Sequence, residues 1–290
     1  MGKQTDLIEG NISKALLVFA VPLLIGNLFQ QLYNTADSYV VGNFVDTNAL
    51  AAVGASASVI QMLVGFFMGL SVGAGVVIAQ YFGAGQKEKM SQDVHRALAL
   101  TVLLSVLFTV VGIALTRPLL RAIGVPQEVL PHSTLYLTIY FAGITFLLFY
   151  NMGSGILRAI GNSRDPLIYL AVASVLNVIL DVLLVCVARL GVAGVALGTM
   201  IAQAVSAYLV MRQLIRTREA YRVELKKIRF HRDMIRQILM VGLPAALQQS
   251  ITAFSNVVVQ SYINSFGTAA IAGYSTTIRI DGFLQLVLQS

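Results

Sequence analysis

Eight long apolar segments follow one another along the chain, and they limit its possible folds more than any other feature. They cover approximately residues 15–43, 49–81, 97–116, 133–157, 167–188, 192–215, 235–264 and 268–290. Each is about 20 residues or longer, which is the length that an α-helix needs to cross the hydrocarbon core of a bilayer. In lipid, a helix satisfies its own backbone hydrogen bonds. The sequence therefore predicts an all-α fold, a polytopic membrane helix bundle.

The composition supports a membrane protein. Apolar residues make up 57% of the chain and charged residues only 11%, with a mean hydropathy of +0.78. A soluble domain carries roughly a quarter of its residues as charged side chains. Here the few charges are clustered between the apolar segments, so they mark loops and helix ends rather than a solvated surface.

The distribution of basic residues predicts the orientation. With the N-terminus in the cytoplasm, sixteen of the twenty Lys and Arg residues lie on the inner side and three on the outer side. The inner set is Lys3, Lys14, Lys87, Lys89, Arg96, Arg158, Arg164 and the nine between Arg212 and Arg236, and the outer set is Arg117, Arg121 and Arg189. The positive-inside rule then predicts a multi-pass protein of the inner (plasma) membrane. The net charge of +7 implies no nucleic-acid partner, although the basic segment 212–236 is either a topogenic loop or a patch for anionic lipids.

An internal repeat predicts two lobes. Residues 22–34 align with 244–256 at an offset of 222, with Pro22 on Pro244 and Asn34 on Asn256. Six segments separate the copies, so both enter the membrane in the same direction, as in parallel transporter repeats. We expect a first six-helix lobe at 1–211, a basic cytoplasmic linker at 212–234, and the first two helices of a second lobe at 235–290. The second repeat is incomplete, which predicts truncation after helix 8; a natural eight-helix protein is the alternative.

Three acidic residues lie inside the predicted segments, namely Asp37, Asp181 and Asp281. An ionised carboxylate in a membrane span is costly and usually functional. Asp37 and Asp181 are predicted about 10 Å below the outer surface, with Asn177 one turn from Asp181 and Thr199 in the same layer. Two acids beside an amide predict a site that holds a proton or a sodium ion. The alternative is that each Asp only bonds a neighbouring helix, and Asp281 has Arg279 nearby as a partner.

Other kinds of chemistry find no support in the sequence. No phosphate-binding loop is present, so ATP does not power the chain directly, and no cofactor is expected. The sequence places His95, His132 and His231 at or near loops, without the spacing of metal ligands. The predicted membrane segments contain no nucleophile with a general base beside it. The sequence therefore predicts that the protein is not an enzyme.

Six motifs in order carry a resemblance to a known family. They are EGNI at 9–12 with FAVP at 19–22, LYNTADS at 32–38 with VG at 41–42, YFGAG at 81–85, LRAIGN at 157–162, LNVILD at 176–181 and GVAGVA at 191–196. With these motifs the chain resembles the multidrug and toxic compound extrusion (MATE) transporters. The resemblance implies twelve helices in two lobes and an antiporter that is monomeric when full length. Such an antiporter exports organic cations or amphipathic drugs in exchange for protons or sodium.

The resemblance also implies roles for individual residues. Asp37, Asn177 and Asp181 match the cation-coupling site, and they would also be the ligands if the ion is Na⁺. The residues that match the cavity lining are Gln30, Asn34, Tyr136, Asn151 and Thr199. Pro22 matches a hinge. Asn151 is expected nearer the cytoplasmic side than the others. A proline frees a backbone carbonyl in the preceding turn and so permits bending.

The second lobe departs from one branch of the family. Sodium-coupled NorM-like members carry a glutamate where this chain has Thr252, and position 37 maps onto Val259. Coupling is therefore predicted in the first lobe alone, as in the DinF-like branch. The alternative function is a flippase for a lipid-linked precursor in the same broader superfamily. Its large anionic headgroup calls for a cationic cavity, whereas Arg279 is the one basic residue within a predicted segment.

Overall fold

In the computed structural model the described residues form a bundle that contains six long helices. They are α1 (Ile12–Phe44), α2 (Thr47–Gly83), α3 (Lys87–Ala122), α4 (Leu130–Ala159), α5 (Arg164–Asp181) and α6 (Val192–Arg216), and a π-helical segment, Val182–Val187, continues α5. The structure describes residues 12–45, 47–224, 226, 240, 242–248, 251, 252, 255 and 259. The predicted all-α membrane bundle is confirmed. Most of the seventh predicted segment and all of the eighth, with Arg279 and Asp281, lie outside the described residues.

The helices have the length and surface of membrane helices. Five helical stretches of the described chain are long and apolar enough to cross a bilayer: Ala49–Gly83, Lys87–Ala122, Leu130–Ala159, Arg164–Val187 and Val192–Arg216. Large apolar side chains remain exposed along one face of α3, among them Val102, Val106 and Val110. In a soluble protein such a surface would be a liability, but against lipid it is favourable.

Two helix ends show why the predicted loops fall where they do. Gly124 and Gly161 follow the ends of α3 and α4 with φ angles of 76° and 82°, in the left-handed region that favours glycine. After α4, the N–H of Asn162 donates to the carbonyl of Leu157 at 2.9 Å. This bond closes the last turn and reverses the chain toward α5, as the predicted break at 161–163 requires.

Helix α4 lies at the centre of the bundle. It packs against α2, α3 and α6, whereas α1 packs chiefly against α5, and α5 against α6. One apolar cluster joins α2, α3, α4 and α6 and includes Ile78, Leu98, Ile156 and Leu214. A separate cluster joins α1 and α6 through Val41 and Val195. The site described below lies where α1, α5 and α6 meet.

The start of α3 corrects one expectation. The apolar pattern predicts a membrane segment from residue 97, but the helix begins at Lys87, so Asp93 and His95 lie inside it and are buried. His95, predicted at or near a loop, lies within the helix and contacts the segment after α6: its Nδ1 lies 2.6 Å from the carbonyl of Ser91, and its Nε2 accepts from the N–H of Glu224 at 2.9 Å. Charged residues lower the hydropathy near a membrane surface without ending a helix, which is why the apolar pattern started too late.

A short helical piece of the predicted second lobe, residues 242–248, lies against α2. A Cβ atom added at Gly69 would overlap the backbone of Ala246, and one added at Gly242 would lie 3.1 Å from the Cα of Leu70. Glycine on each side therefore permits the close approach of these two helices, as small residues commonly do in membranes.

Candidate functional site

Four polar side chains from three helices meet in the interior of the bundle. Asp37 comes from α1, Asn177 and Asp181 from α5, and Thr199 from α6. Their exposed fractions are 6%, 1%, 0% and 5%, respectively. Asn177 and Asp181 are four residues apart, so they lie on the same face of α5. The structure thus brings together the three predicted coupling residues and one predicted cavity residue; these four form what we call the acidic cluster.

Few hydrogen bonds join the members of the acidic cluster. Thr199 Oγ1 donates to Asp37 Oδ2 at 3.4 Å, and Asn177 Nδ2 donates to Thr199 Oγ1 at 3.4 Å. Both distances exceed the usual range, so these bonds are weak. No hydrogen bond joins the carboxyl groups of Asp37 and Asp181, although they are close enough to interact electrostatically. Two ionised carboxylates placed so close repel each other unless a proton or a cation neutralises the pair.

The acidic cluster has more acceptors than donors. Asp37 Oδ1, Asn177 Oδ1 and both carboxylate oxygens of Asp181 are buried with no donor from the described residues. The ion pair found in the described chain, Arg96 with Asp93 at 3.5 Å, is elsewhere. Burying an ionised carboxylate without a partner costs several kcal/mol. A proton, a cation or water must therefore satisfy these oxygens.

The donor set fits a hard cation as well as a proton. Sodium prefers oxygen ligands, and the acidic cluster offers two carboxylates, the amide oxygen of Asn177 and the hydroxyl of Thr199. No group of three His, Cys, Asp or Glu side chains in the described residues could hold a metal ion. A bound Na⁺ would therefore use neutral oxygens beside the two acids.

Gly198 allows Asp181 to approach α6. An added Cβ at Gly198 would lie 2.5 Å from Asp181 Oδ1, well inside van der Waals contact. The helix also changes to the π-helical segment directly after Asp181. Such segments widen a helix locally and are frequent at functional sites. The absence of a side chain at Gly198 thus lets the Asp181 carboxylate lie against α6.

An open cavity of about 550 Å³ borders the acidic cluster. Asp37 and Thr199 form part of its wall, together with Gln30, Tyr136 and Tyr140. The wall also contains the polar side chains of Gln31, Thr35 and Gln61. Its apolar side chains include Val53, Ala57, Ile60, Val64, Met68 and Leu147. Its described wall holds one acid and no basic residue. We call it the outer cavity, and its size and amphipathic lining suit a drug-sized molecule.

The remaining predicted residues divide between two places. Tyr136 is in the wall of the outer cavity, and Gln30 borders both this cavity and a second one, which also contacts Pro22 and Asn151. The amide of Asn151 donates to the carbonyl of Leu147 at 2.9 Å, so Asn151 does not join the acidic cluster. Helix α1 continues without a break through Pro22. The side chain of Asn34 lies outside the described part of the chain.

Sequence reasoning missed Arg158. The apolar pattern predicts an inner loop at Arg158 because the predicted segment ends at residue 157. In the structure α4 continues to Ala159, and Arg158 borders the second cavity. The signal was present, since Arg158 directly follows an apolar run and precedes the glycine that ends the helix. A charged residue in the last turn of a membrane helix can point back toward the interior as readily as toward a loop.

A second set of polar side chains that the sequence analysis did not identify joins α5 to α6 by hydrogen bonds. Asp165 Oδ2 accepts from Asn162 Nδ2 at 2.7 Å and from Gln213 Nε2 at 2.5 Å, and Tyr169 donates to Gln213 Oε1. The backbone N–H of Asp165 donates to Asn162 Oδ1 at 3.1 Å, so the Asn162 and Asp165 pair also caps α5. These bonds explain why Asp165 is buried, and they hold the two helices together at the end opposite the acidic cluster.

Comparison with known proteins identifies the family. The MatE family model matches residues 22–183, a stretch that contains Asp37, Asn177 and Asp181. The chain belongs to the MATE family. The resemblance seen in the six motifs is therefore confirmed, and with it the prediction that the chain is no enzyme, because MATE proteins are membrane transporters.

Individual relatives agree over almost the whole chain. It is 30% identical over 284 residues to "Probable multidrug resistance protein YpnP" of Bacillus subtilis, covering 98% of this chain and 63% of that protein. It is 25% identical over 277 residues to "Multidrug export protein MepA" of Staphylococcus aureus, covering 96% of this chain and 61% of that protein. An outward-facing structure of a multidrug resistance MATE family transporter superposes with a TM-score of 0.91 at 27% identity, covering 100% of this chain and 64% of that one. The chain thus spans about three fifths of the length of the relatives it matches.

Proposed function

We propose that this chain provides the cation-coupling lobe of a drug-export antiporter of the plasma membrane. The transporter exchanges protons or sodium ions for organic cations or amphipathic drugs, with its N-terminus in the cytoplasm. The names of the two curated relatives, a multidrug resistance protein and a multidrug export protein, support the drug as substrate. The inner-side excess of Lys and Arg supports the orientation.

One observation carries the proposal: Asp37 belongs to both the acidic cluster and the wall of the outer cavity. A cationic drug in the cavity and a coupling cation in the cluster therefore draw on the same negative charge. When H⁺ or Na⁺ neutralises the carboxylates, the cavity loses its attraction for a cation, and the drug leaves. When the cation leaves, the carboxylate is again available to the next drug molecule. Such mutual exclusion is the requirement of antiport.

Neutralisation also changes what the acids need around them. An ionised carboxylate demands water or donors, whereas a neutralised one can be buried in a dry interface. We propose that α1 moves about Pro22 in response, closing the outer cavity. A pH gradient of one unit supplies about 1.4 kcal/mol per proton, and about 2.3 kcal/mol per charge comes from each 100 mV of membrane potential.

The test measures ethidium efflux from proteoliposomes that contain the full-length protein. Imposed proton and sodium gradients are applied separately, and an ionophore then collapses each one. We expect efflux under at least one gradient and its loss on collapse. Asp181→Asn should abolish the gradient-driven part, while Glu128→Gln, which removes an exposed acid on the loop before α4, should not. Efflux that persists in Asp181→Asn under both gradients would refute the proposal.

A further inference from the structure

The second cavity differs in charge from the outer one. It has a volume of about 60 Å³ and lies between the first half of α1, the end of α4 and the start of α5. Polar side chains in its wall include Asn27, Gln30 and Ser163, and Arg158 is its one charged residue among those described. The described residues of this wall include no carboxylate. We call it the inner cavity; Gln30 also borders the outer cavity, so the two are neighbours along α1.

Arg158 has no competing partner in the described chain. The hydrogen bonds found at this residue use its backbone carbonyl, which accepts from Gly161 and Ile160. No described side chain forms an ion pair or hydrogen bond with its guanidinium. An arginine remains charged in proteins and offers five N–H donors in a planar fork that matches a carboxylate. A partly buried guanidinium without an acid leaves these donors available to a ligand.

The start of α5 adds a second positive feature at the same cavity. This 18-residue helix begins at Arg164, and Ser163 and Pro166 are both in the cavity wall. Ser163 makes no side-chain capping bond to the helix. The N–H of Asp165 in this turn already donates to Asn162, and Asp165 is not in the cavity wall. What the start of the helix adds at the cavity is therefore the positive end of its dipole. The guanidinium and the helix terminus therefore favour the same sign of ligand charge.

We propose that the inner cavity is a binding site for the carboxylate group of an organic compound, with Arg158 as its anchor. About 60 Å³ admits such a group but not a whole drug, so the rest of the compound extends along α1 toward the outer cavity. The site lets the first lobe recognise compounds that carry both a positive and a negative charge. This inference deepens the proposed function, yet binding at the site does not depend on ion coupling.

The test compares two dyes that differ in this one group. Rhodamine 110 has a free carboxylate, and rhodamine 123 is its methyl ester. Fluorescence polarisation measures the binding of each dye to the purified protein in detergent. Because a charge-assisted bidentate contact is lost, Arg158→Gln should weaken rhodamine 110 binding about tenfold or more. Rhodamine 123 binding should change less than about twofold, which is also the folding control within the same variant.

A matched control is Arg164→Gln, which removes the next basic residue along the chain from an exposed position. This variant should bind both dyes as the unaltered protein does. Arg158→Lys should retain part of the preference for rhodamine 110, because the charge remains but the fork is lost. The inference is overturned if Arg158→Gln binds rhodamine 110 with unchanged affinity, or if it loses both dyes equally. In either case gradient-driven ethidium efflux in the unaltered protein would still report separately on the proposed function.

Discussion

Replacing Gly198 with alanine should disable the acidic cluster without removing any of its polar groups. The new Cβ would lie 2.5 Å from Asp181 Oδ1, whereas ordinary contact begins near 3.4 Å. The carboxylate must therefore move by roughly 0.9 Å, the difference between 3.4 and 2.5 Å. A misplacement of about 1 Å in a positioned group can reduce activity about a hundredfold. We expect gradient-driven ethidium efflux to fall by a factor between about ten and a hundred.

The same substitution should not weaken the helix. Alanine is favoured over glycine by about 1 kcal/mol in a helix interior, so expression and thermal stability in detergent should be retained. Gly54→Ala is the control, because Gly54 is exposed on α2 and an added Cβ there meets no atom within 4 Å. Efflux at the unaltered rate in Gly198→Ala would refute the reasoning. Equal loss in Gly54→Ala would show that any added methyl group in these helices is harmful.

Further predictions address the acids and the topology. Asp37→Asn and Asp181→Asn should each abolish coupled efflux at matched expression, and the double variant should be little worse than either, because groups that act as one unit are not additive; additive losses would mean two separate roles. For the topology, Cys186 is replaced by alanine and single cysteines are placed at Gln86 and Gln127. An impermeant thiol reagent added to intact cells should label only the cysteine at 127, and labelling at 86 would overturn the orientation.

The helices could be predicted because crossing a membrane imposes a minimum apolar length. All six described helices fall on predicted segments, but their ends do not: α3 starts ten residues earlier than predicted, at Lys87. The hydropathy of a sequence falls at the membrane surface, whereas backbone hydrogen bonding continues into it. The π-helical turn after Asp181 has no signal in the sequence, because Val182–Val187 is an ordinary apolar run.

The acidic cluster could be predicted for a different physical reason. Acids are so costly in lipid that Asp37 and Asp181 stood out, although 144 positions separate them in the chain. Their common depth predicted that they could meet, and they do. Arg158 was missed because depth was counted from the ends of apolar runs, and it lies one residue beyond such an end. The side on which a terminal residue points depends on packing against α1 and α5, which the sequence does not reveal.

The cation released when a drug binds tests the central claim most directly. A saturating amount of ethidium is added to the purified protein in weakly buffered solution, and a pH indicator and a sodium electrode record what is released. If Asp37 and Asp181 hold the coupling cation, binding should release about one H⁺ or Na⁺ per ethidium from the unaltered protein. Asp181→Asn should release neither ion. Ethidium binding that releases no cation from the unaltered protein, or equal release from Asp181→Asn, would contradict the account.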